Sequence, residues 1–264
     1  MEKHSYDLDV QERLNVELLR LRLQAKILFP LEEDFFLEDL NENARVLDLG
    51  CGNGAYLREV KNKFPSSCLR GFDRNQTLLD AAKNHFGIDC VNVDLLNSNL
   101  LEVGIRSFNP SVIFIRFVLQ HLENQQINKV LTTVRAAKAL TCIVYLIDTD
   151  DRRIKISPSS SIIAYALAAK NKQQACLGGD RAIGGRLQAV AENAGFDVFN
   201  NKPITISAVN IGRANWLEVF SPIMAGGILY DDAERQKLLN NEIESLRTNN
   251  EAVLEWGINL VRCR

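Results

Sequence analysis

One stretch, Val46-Leu47-Asp48-Leu49-Gly50-Cys51-Gly52-Asn53-Gly54, constrains this chain more than any other. A short apolar run enters a turn with glycine at three alternate positions, and a helical segment, Ala55 to Val60, follows at once. Glycine is needed where backbone takes φ > 0 or lies against a ligand. A turn that opens a helix also aims free N–H groups at whatever sits there. Such a loop belongs at the carboxyl end of a first parallel strand, where open α/β sheets bind nucleotide-type ligands. The dinucleotide pattern G-x-G-x-x-G is one residue longer, and no Gly-Lys-Ser/Thr of a P-loop follows. Asp48, two residues before the first glycine, would repel a pyrophosphate and suits a ligand carrying an ammonium group.

The nine residues resemble motif I of the class I S-adenosylmethionine (SAM)-dependent methyltransferases, x-L-D-x-G-C-G-x-G. The resemblance implies an α/β, Rossmann-like sheet of seven strands in the order 3-2-1-4-5-7-6, the last antiparallel, with SAM as cofactor. It implies cofactor contacts from Asp48, Gly50, Gly52 and Gly54. Ser67 to Asp73 reads as a second strand ending in an acid, and a carboxylate there can accept from both ribose hydroxyls; a surface or capping role is the alternative. Arg74 follows it on the cofactor side. Ile88 to Leu95 reads as a third strand, and the resemblance gives Asp94 the adenine amino group and Leu95 a backbone contact to the ring. A turn cap is the other reading of Asp94.

Ser111 to Val118 is an apolar run suited to a strand covered on both faces. It contains Arg116 and leads into Gln120-His121-Leu122, similar to the family's Arg-Phe-x-Leu-x-His-Leu stretch. Pro110-Ser111 stands where the family often has an acid. Arg116 is assigned to the cofactor. His121 is the candidate catalytic base, since histidine titrates near neutrality, although a packing role fits it as well. His4 and Tyr6 are further candidates.

The first helix is expected from Asp9 to Pro30, with Leu14, Leu18, Leu21, Ala25 and Leu28 on one face. The polar arm before it resembles arms that fold over the cofactor in related enzymes, which assigns Tyr6 and Arg13 to cofactor binding. Asn75–Phe86 and Glu123–Ala139 read as helices, Cys142–Asp148 as strand five, and Gly184–Phe196 as its crossover helix, stopped by Gly195. Strand six is expected over about 197–209 and a last strand over 257–262, with a charged helix over 231–255. One domain, 1–264, results. The segments 1–28, 152–181 and 213–255 are expected to form a helical cap; padding or a homodimer interface is the alternative.

A net charge of −2 and a pI near 6.0 give no pull toward nucleic acid or anionic membrane. Six cysteines without a C-x-x-C pair imply neither a zinc site nor a disulfide framework. The polar start and the lack of a long apolar run point to a cytoplasmic protein with no membrane span. The expected function is therefore methyl transfer to a small organic acceptor at O, N or C, in secondary or quinone-type metabolism. A non-catalytic SAM-binding subunit and a tRNA or protein methyltransferase are the competing readings.

Overall fold

The computed structural model describes residues 11–228 and 232–264, with side chains from Leu14 onward. Helix α1 (Gln11–Glu32) precedes the sheet. There follow β1 (Arg45–Leu49), α2 (Ala55–Lys63), β2 (Cys68–Asp73), α3 (Gln76–Phe86), β3 (Asp89–Asn92), α4 (Ser98–Phe108), β4 (Val112–Arg116), α5 (Asn124–Ala137) and β5 (Ile143–Ser157). Next come α6 (Ser161–Cys176), α7 (Leu187–Asn193), β6 (Val198–Ser207), α8 (Ala208–Ile211), α9 (Arg213–Ala225), α10 (Ala233–Thr248) and β7 (Val253–Cys263). The strand order is β3-β2-β1-β4-β5-β7-β6. Strands β1 to β5 pair in parallel, and β7 runs antiparallel to both β5 and β6. The expected sheet is present, down to the reversed strand.

Side chains alternate across a strand, and two cores result. Val46, Val112, Phe114, Tyr145 and Ile147 pack on the face covered by α1, α2 and α9. Leu47, Leu49, Ile113, Ile115, Val144 and Leu146 pack on the other, against α4, α5 and α7. Leu57 and Val60 of α2 are fully buried, each contributing roughly 1.5–3 kcal/mol. On the first face Phe29, Phe36, Tyr56, Phe114 and Tyr145 form a continuous aromatic cluster, with edge-to-face and stacked rings 5.3–5.8 Å apart.

Several boundaries differ from expectation. Helix α1 passes Pro30, because the ring meets only the last turn and the end is anchored by buried Glu32. Helix α4, left unassigned by the sequence, buries Leu101, Ile105 and Phe108. Its helix-weakening Gly104 is where the Phe72 ring lies, 2.7 Å from where a Cβ would stand. Strand β5 continues through 149–157, so 152–157 of the expected helical insertion is sheet. A bulge between Asp150 and Lys155 re-registers it on β7, which starts at Val253 rather than Gly257. Beyond it, α6, α9 and α10 pack on one another, and α9 packs on α1. Among the described residues no helix is long and apolar enough to cross a membrane.

Candidate functional site

A cleft of about 630 Å³ opens at the carboxyl ends of β1 to β4, where the strand order reverses between β1 and β4. The glycine turn forms its floor. Gly50 and Cys51 donate their N–H groups to the Phe72 carbonyl (2.7 and 3.0 Å), which holds the turn against β2. The Gly52 N–H donates to Asp73 Oδ2 (2.9 Å), and Asn75 N–H to Asp73 Oδ1 (2.8 Å). Asn53 ties the turn to α1 by donating to the Leu18 carbonyl (3.2 Å). The glycines differ in what they allow. A Cβ on Gly50 would stand 2.3 Å from Val118 and one on Gly54 3.0 Å from Ala82, so both are packing positions. At Gly52, with φ +54°, a Cβ would meet only Leu21 and Leu78 at 3.7 and 4.0 Å, and the residue lines the cleft.

Asp48, Gly50, Gly52, Asp73, Arg74, Asp94, Leu95, Arg116 and His121 all line this one cleft. Gly54 does not; it sits behind the turn and caps α2. Tyr6 and His4 lie outside the described residues, as does the side chain of Arg13. Asp48 is buried, and its Oδ1 has no hydrogen-bond partner. Burial pushes its carboxyl up to about 7, against the pull of nearby Arg116. Burial also raises Asp73, which its backbone partners at Asn75 and Gly52 oppose. Asp94 is exposed at the rim and accepts from Leu96 N–H (2.9 Å), so it closes a turn as well as lining the cleft.

Arg116 is engaged from within. Its guanidinium makes a two-point pair with Glu32 (2.8 and 2.9 Å), and Tyr56 donates its hydroxyl to the same carboxylate (2.8 Å). It also lies over the Tyr56 and Phe117 rings, 4.2 and 4.4 Å from their centroids. Immediately after it, Phe117 takes φ +56°, an uncommon conformation for a bulky residue. This bend turns the chain off β4 and sets Phe117 against Trp256, with stacked rings 5.7 Å apart.

His121 is half-buried beside these groups. Gln174 Nε2 of α6 lies 3.0 Å from its Nδ1 and also donates to the Gln120 carbonyl (3.0 Å). An amide nitrogen can only donate, so Nδ1 accepts and the neutral ring carries its proton on Nε2. Burial, reinforced by Arg181, Lys170, Arg20 and Arg74, drives the imidazole down to about 3. The arrangement suits His121 to donate a hydrogen bond rather than remove a proton. The far wall is a polar network at the end of β5. Arg181 pairs with Asp151 (2.6 Å) and donates to Gln120 Oε1 (3.0 Å), and Trp256 donates to Asp151 (3.1 Å). Asp148 beneath accepts from Thr149 and Gln120 N–H groups, and burial raises its carboxyl to about 7.

Sequence reasoning left out Glu32, Arg20, Lys170, Arg181 and Trp256. None belongs to a local motif, and each reaches the site from an element distant in sequence. Only the long β5–β7 ladder and the packing of α1, α6 and α9 bring them together.

Residues 46–139 match the family described as "Methyltransferase domain". This stretch, with the glycine turn at its start, is similar to a methyltransferase domain. An SAM-dependent methyltransferase from Anabaena variabilis shares the fold over all of this chain and 98% of its own (TM-score 0.59, 11% identity). One from Archaeoglobus fulgidus shares it over 94% of each chain (TM-score 0.51, 15% identity). Sequence likeness to curated proteins covers only part of the chain. It reaches 25% over 83 residues with the carboxy-S-adenosyl-L-methionine synthase of Campylobacter hominis, 31% of this chain and 36% of that one. With malonyl-[acyl-carrier protein] O-methyltransferase 2 of Ilyobacter polytropus it reaches 26% over 95 residues, 34% of each. These matches span about a third of the length of the curated relatives. SAM is the family's cofactor, and the cleft fits it. The buried, unpartnered carboxylate oxygen of Asp48 calls for a donor, and the bare backbone at Gly52 leaves room beside it.

Proposed function

We propose that this chain transfers a methyl group from SAM to a small organic acceptor. The observation that carries the reading is the unpartnered Asp48 carboxylate beside Gly52 at the floor of a cleft large enough for two small ligands. When bound, SAM supplies an electrophilic methyl group, whose carbon–sulfur bond breaks with the electron pair left on sulfur.

The residues divide the work between two halves of the cleft. Asp48 takes the α-ammonium of the cofactor, Asp73 its ribose hydroxyls, and Asp94 with the Leu95 backbone its adenine; Arg74 lies at the rim of the same half. The buried Glu32–Arg116–Tyr56 group fixes the exit of β4, so that Phe117 and the loop through His121 face the other half. There Phe117, Trp256, Pro222 and Ile223 present apolar and aromatic surface, which suits a small organic body and displaces water from a nucleophile. His121, held neutral against Gln174, shapes the wall of that half. Helices α1, α6 and α9 act as the cap over this half. The chain's own part is thus binding, orientation and desolvation, the main requirements of an in-line displacement.

The test combines two measurements. Titration calorimetry should show binding of SAM and of its demethylated product, S-adenosylhomocysteine (SAH). Tritium from methyl-labelled SAM should then enter a compound of a metabolite extract that gains one methylene in mass. Binding without transfer would make the chain a cofactor-binding subunit, and transfer to tRNA or protein would refute the small-molecule reading.

A further inference from the structure

The acceptor half of the cleft carries an excess of positive charge at one point. Arg20 pairs with Glu17 (2.5 Å), Arg116 with Glu32 (2.8 Å) and Arg181 with Asp151 (2.6 Å). Lys170, from the cap helix α6, lines the same half and has no such partner. Its ammonium donates to Gln173 Oε1 at 3.3 Å, and among the described residues no carboxylate oxygen lies within 4.0 Å of it. Glu123, the other acid at this end, is exposed at the rim, and its carboxylate caps α5. Helix α6 packs closely on the turn after α9, since a Cβ on Gly227 would stand 2.0 Å from the Ala166 carbonyl oxygen.

We propose that Lys170 is the recognition point for a carboxylate on the methyl acceptor; this rests on the methyltransferase reading above. Burial and Arg181 already lower the lysine, which lies between the Glu17–Arg20 and Asp151–Arg181 pairs whose charges largely offset one another. An acceptor that fills the cleft removes the remaining water from the ammonium, and a buried charge without a counter-charge is costly. An acceptor carrying one negative charge satisfies it. A phosphate, with a charge near −1.5 to −2 at neutral pH, would exceed the charge of this one lysine; Arg74, which also lines the cleft without an ion pair among the described residues, lies at the rim of the cofactor half. Pairing with an ammonium lowers the nucleophilicity of a carboxylate, so this group is the handle rather than the methylated atom, and it keeps its charge in the product.

The cofactor also carries a carboxylate, and the experiment separates the two sources. SAH affinity is measured by calorimetry for wild type and Lys170→Gln, and methyl transfer from tritiated SAM into a metabolite extract is fractionated on an anion exchanger. The expected product is retained at pH 7 and released at pH 3, where carboxylates neutralise. Lys170→Gln should lose at least tenfold in transfer rate while binding SAH within twofold of wild type, and Lys170→Arg should recover most of the rate. A product that flows through at pH 7, or one still held at pH 3 as a phosphate would be, overturns the proposal. So does an unchanged rate in Lys170→Gln. A tenfold loss of SAH affinity would overturn it by assigning Lys170 to the cofactor's own carboxylate. Wild type that fails to bind SAH, or binds it without transferring label, brings down the underlying reading and this inference with it.

Discussion

The ionisation of Asp48 gives a quantitative handle on the cofactor half. In the free protein the carboxyl titrates at about 7, against 3.8 for an ordinary aspartate, because it is buried with no donor to its Oδ1. An ammonium placed against it holds it ionised. The ionised fraction of the free site is roughly a tenth at pH 6, half at pH 7 and nine-tenths at pH 8. SAH should therefore bind about tenfold more tightly at pH 8 than at pH 6, a difference of about 1.4 kcal/mol, with about half a proton released per binding event at pH 7. Calorimetry in two buffers of different ionisation enthalpy counts that proton directly. Asp48→Asn removes the titrating group, so its SAH affinity should be weaker at pH 8 and lose the pH slope. The free protein carries the opposite signature. A raised folded pKa stabilises below the unfolded value and loses that contribution as pH rises through about 7, so Asp48→Asn should be more stable than wild type at pH 8. Full ionisation corresponds to about 4 kcal/mol. Asp148, also raised to about 7, adds a similar slope to both proteins and cancels in the comparison. Wild-type affinity that is flat between pH 6 and 8 would refute the ammonium assignment. A slope that survives in Asp48→Asn would move the proton to Asp73.

Further outcomes follow from the same geometry. Asp73→Ala should weaken SAH by roughly 2–4 kcal/mol, and it also frees the Gly52 N–H that the carboxylate holds; wild-type affinity in that variant would mean the ribose is held elsewhere. Gly52→Val places a β-branched side chain at φ +54° on the cleft floor, and should abolish SAH binding while circular dichroism stays native. Arg116→Met leaves Glu32 charged and buried, which should cost about 3–5 kcal/mol in urea unfolding. Pairing it with Glu32→Leu should restore much of the loss, and equal stability of Arg116→Met and wild type would show that the pair is idle. Hydrogen exchange should slow in α6 and α9 when SAH binds; unchanged exchange there argues against a cap.

The cofactor half was readable because its residues are consecutive in sequence. Val46 to Gly54 specify a strand, a turn and a helix within nine positions, and Asp73 and Asp94 follow at the ends or just past the ends of successive strands. Strands β1, β2 and β4 were legible from their apolar runs, whereas the extension of β5 was hidden under Asp150, Asp151, Arg152 and Arg153. Its alternation, Ile154 and Ile156, covers only two residues, and the partner that stabilises it on β7 lies about a hundred residues away. Helix α4 was obscured by Gly104, whose role is a contact with Phe72 and not a local one. Arg116 stood out in sequence as a charge inside an apolar strand, but its partner Glu32, beyond Pro30, carried no signal. His121 was legible as a residue near the chemistry, while its proton state depends on Gln174, a side chain from α6.

The two halves of the cleft also differ in where their atoms come from. The floor that takes the cofactor lies within residues 46–139, whereas Arg20, Lys170, Arg181, Ile223 and Trp256 all come from outside that span. A compound built only on adenosine would rest on residues inside that matched stretch. One that reaches from Asp48 across Phe117 to Lys170 would also touch a side chain from outside it, so selectivity for an inhibitor is to be sought in its second half.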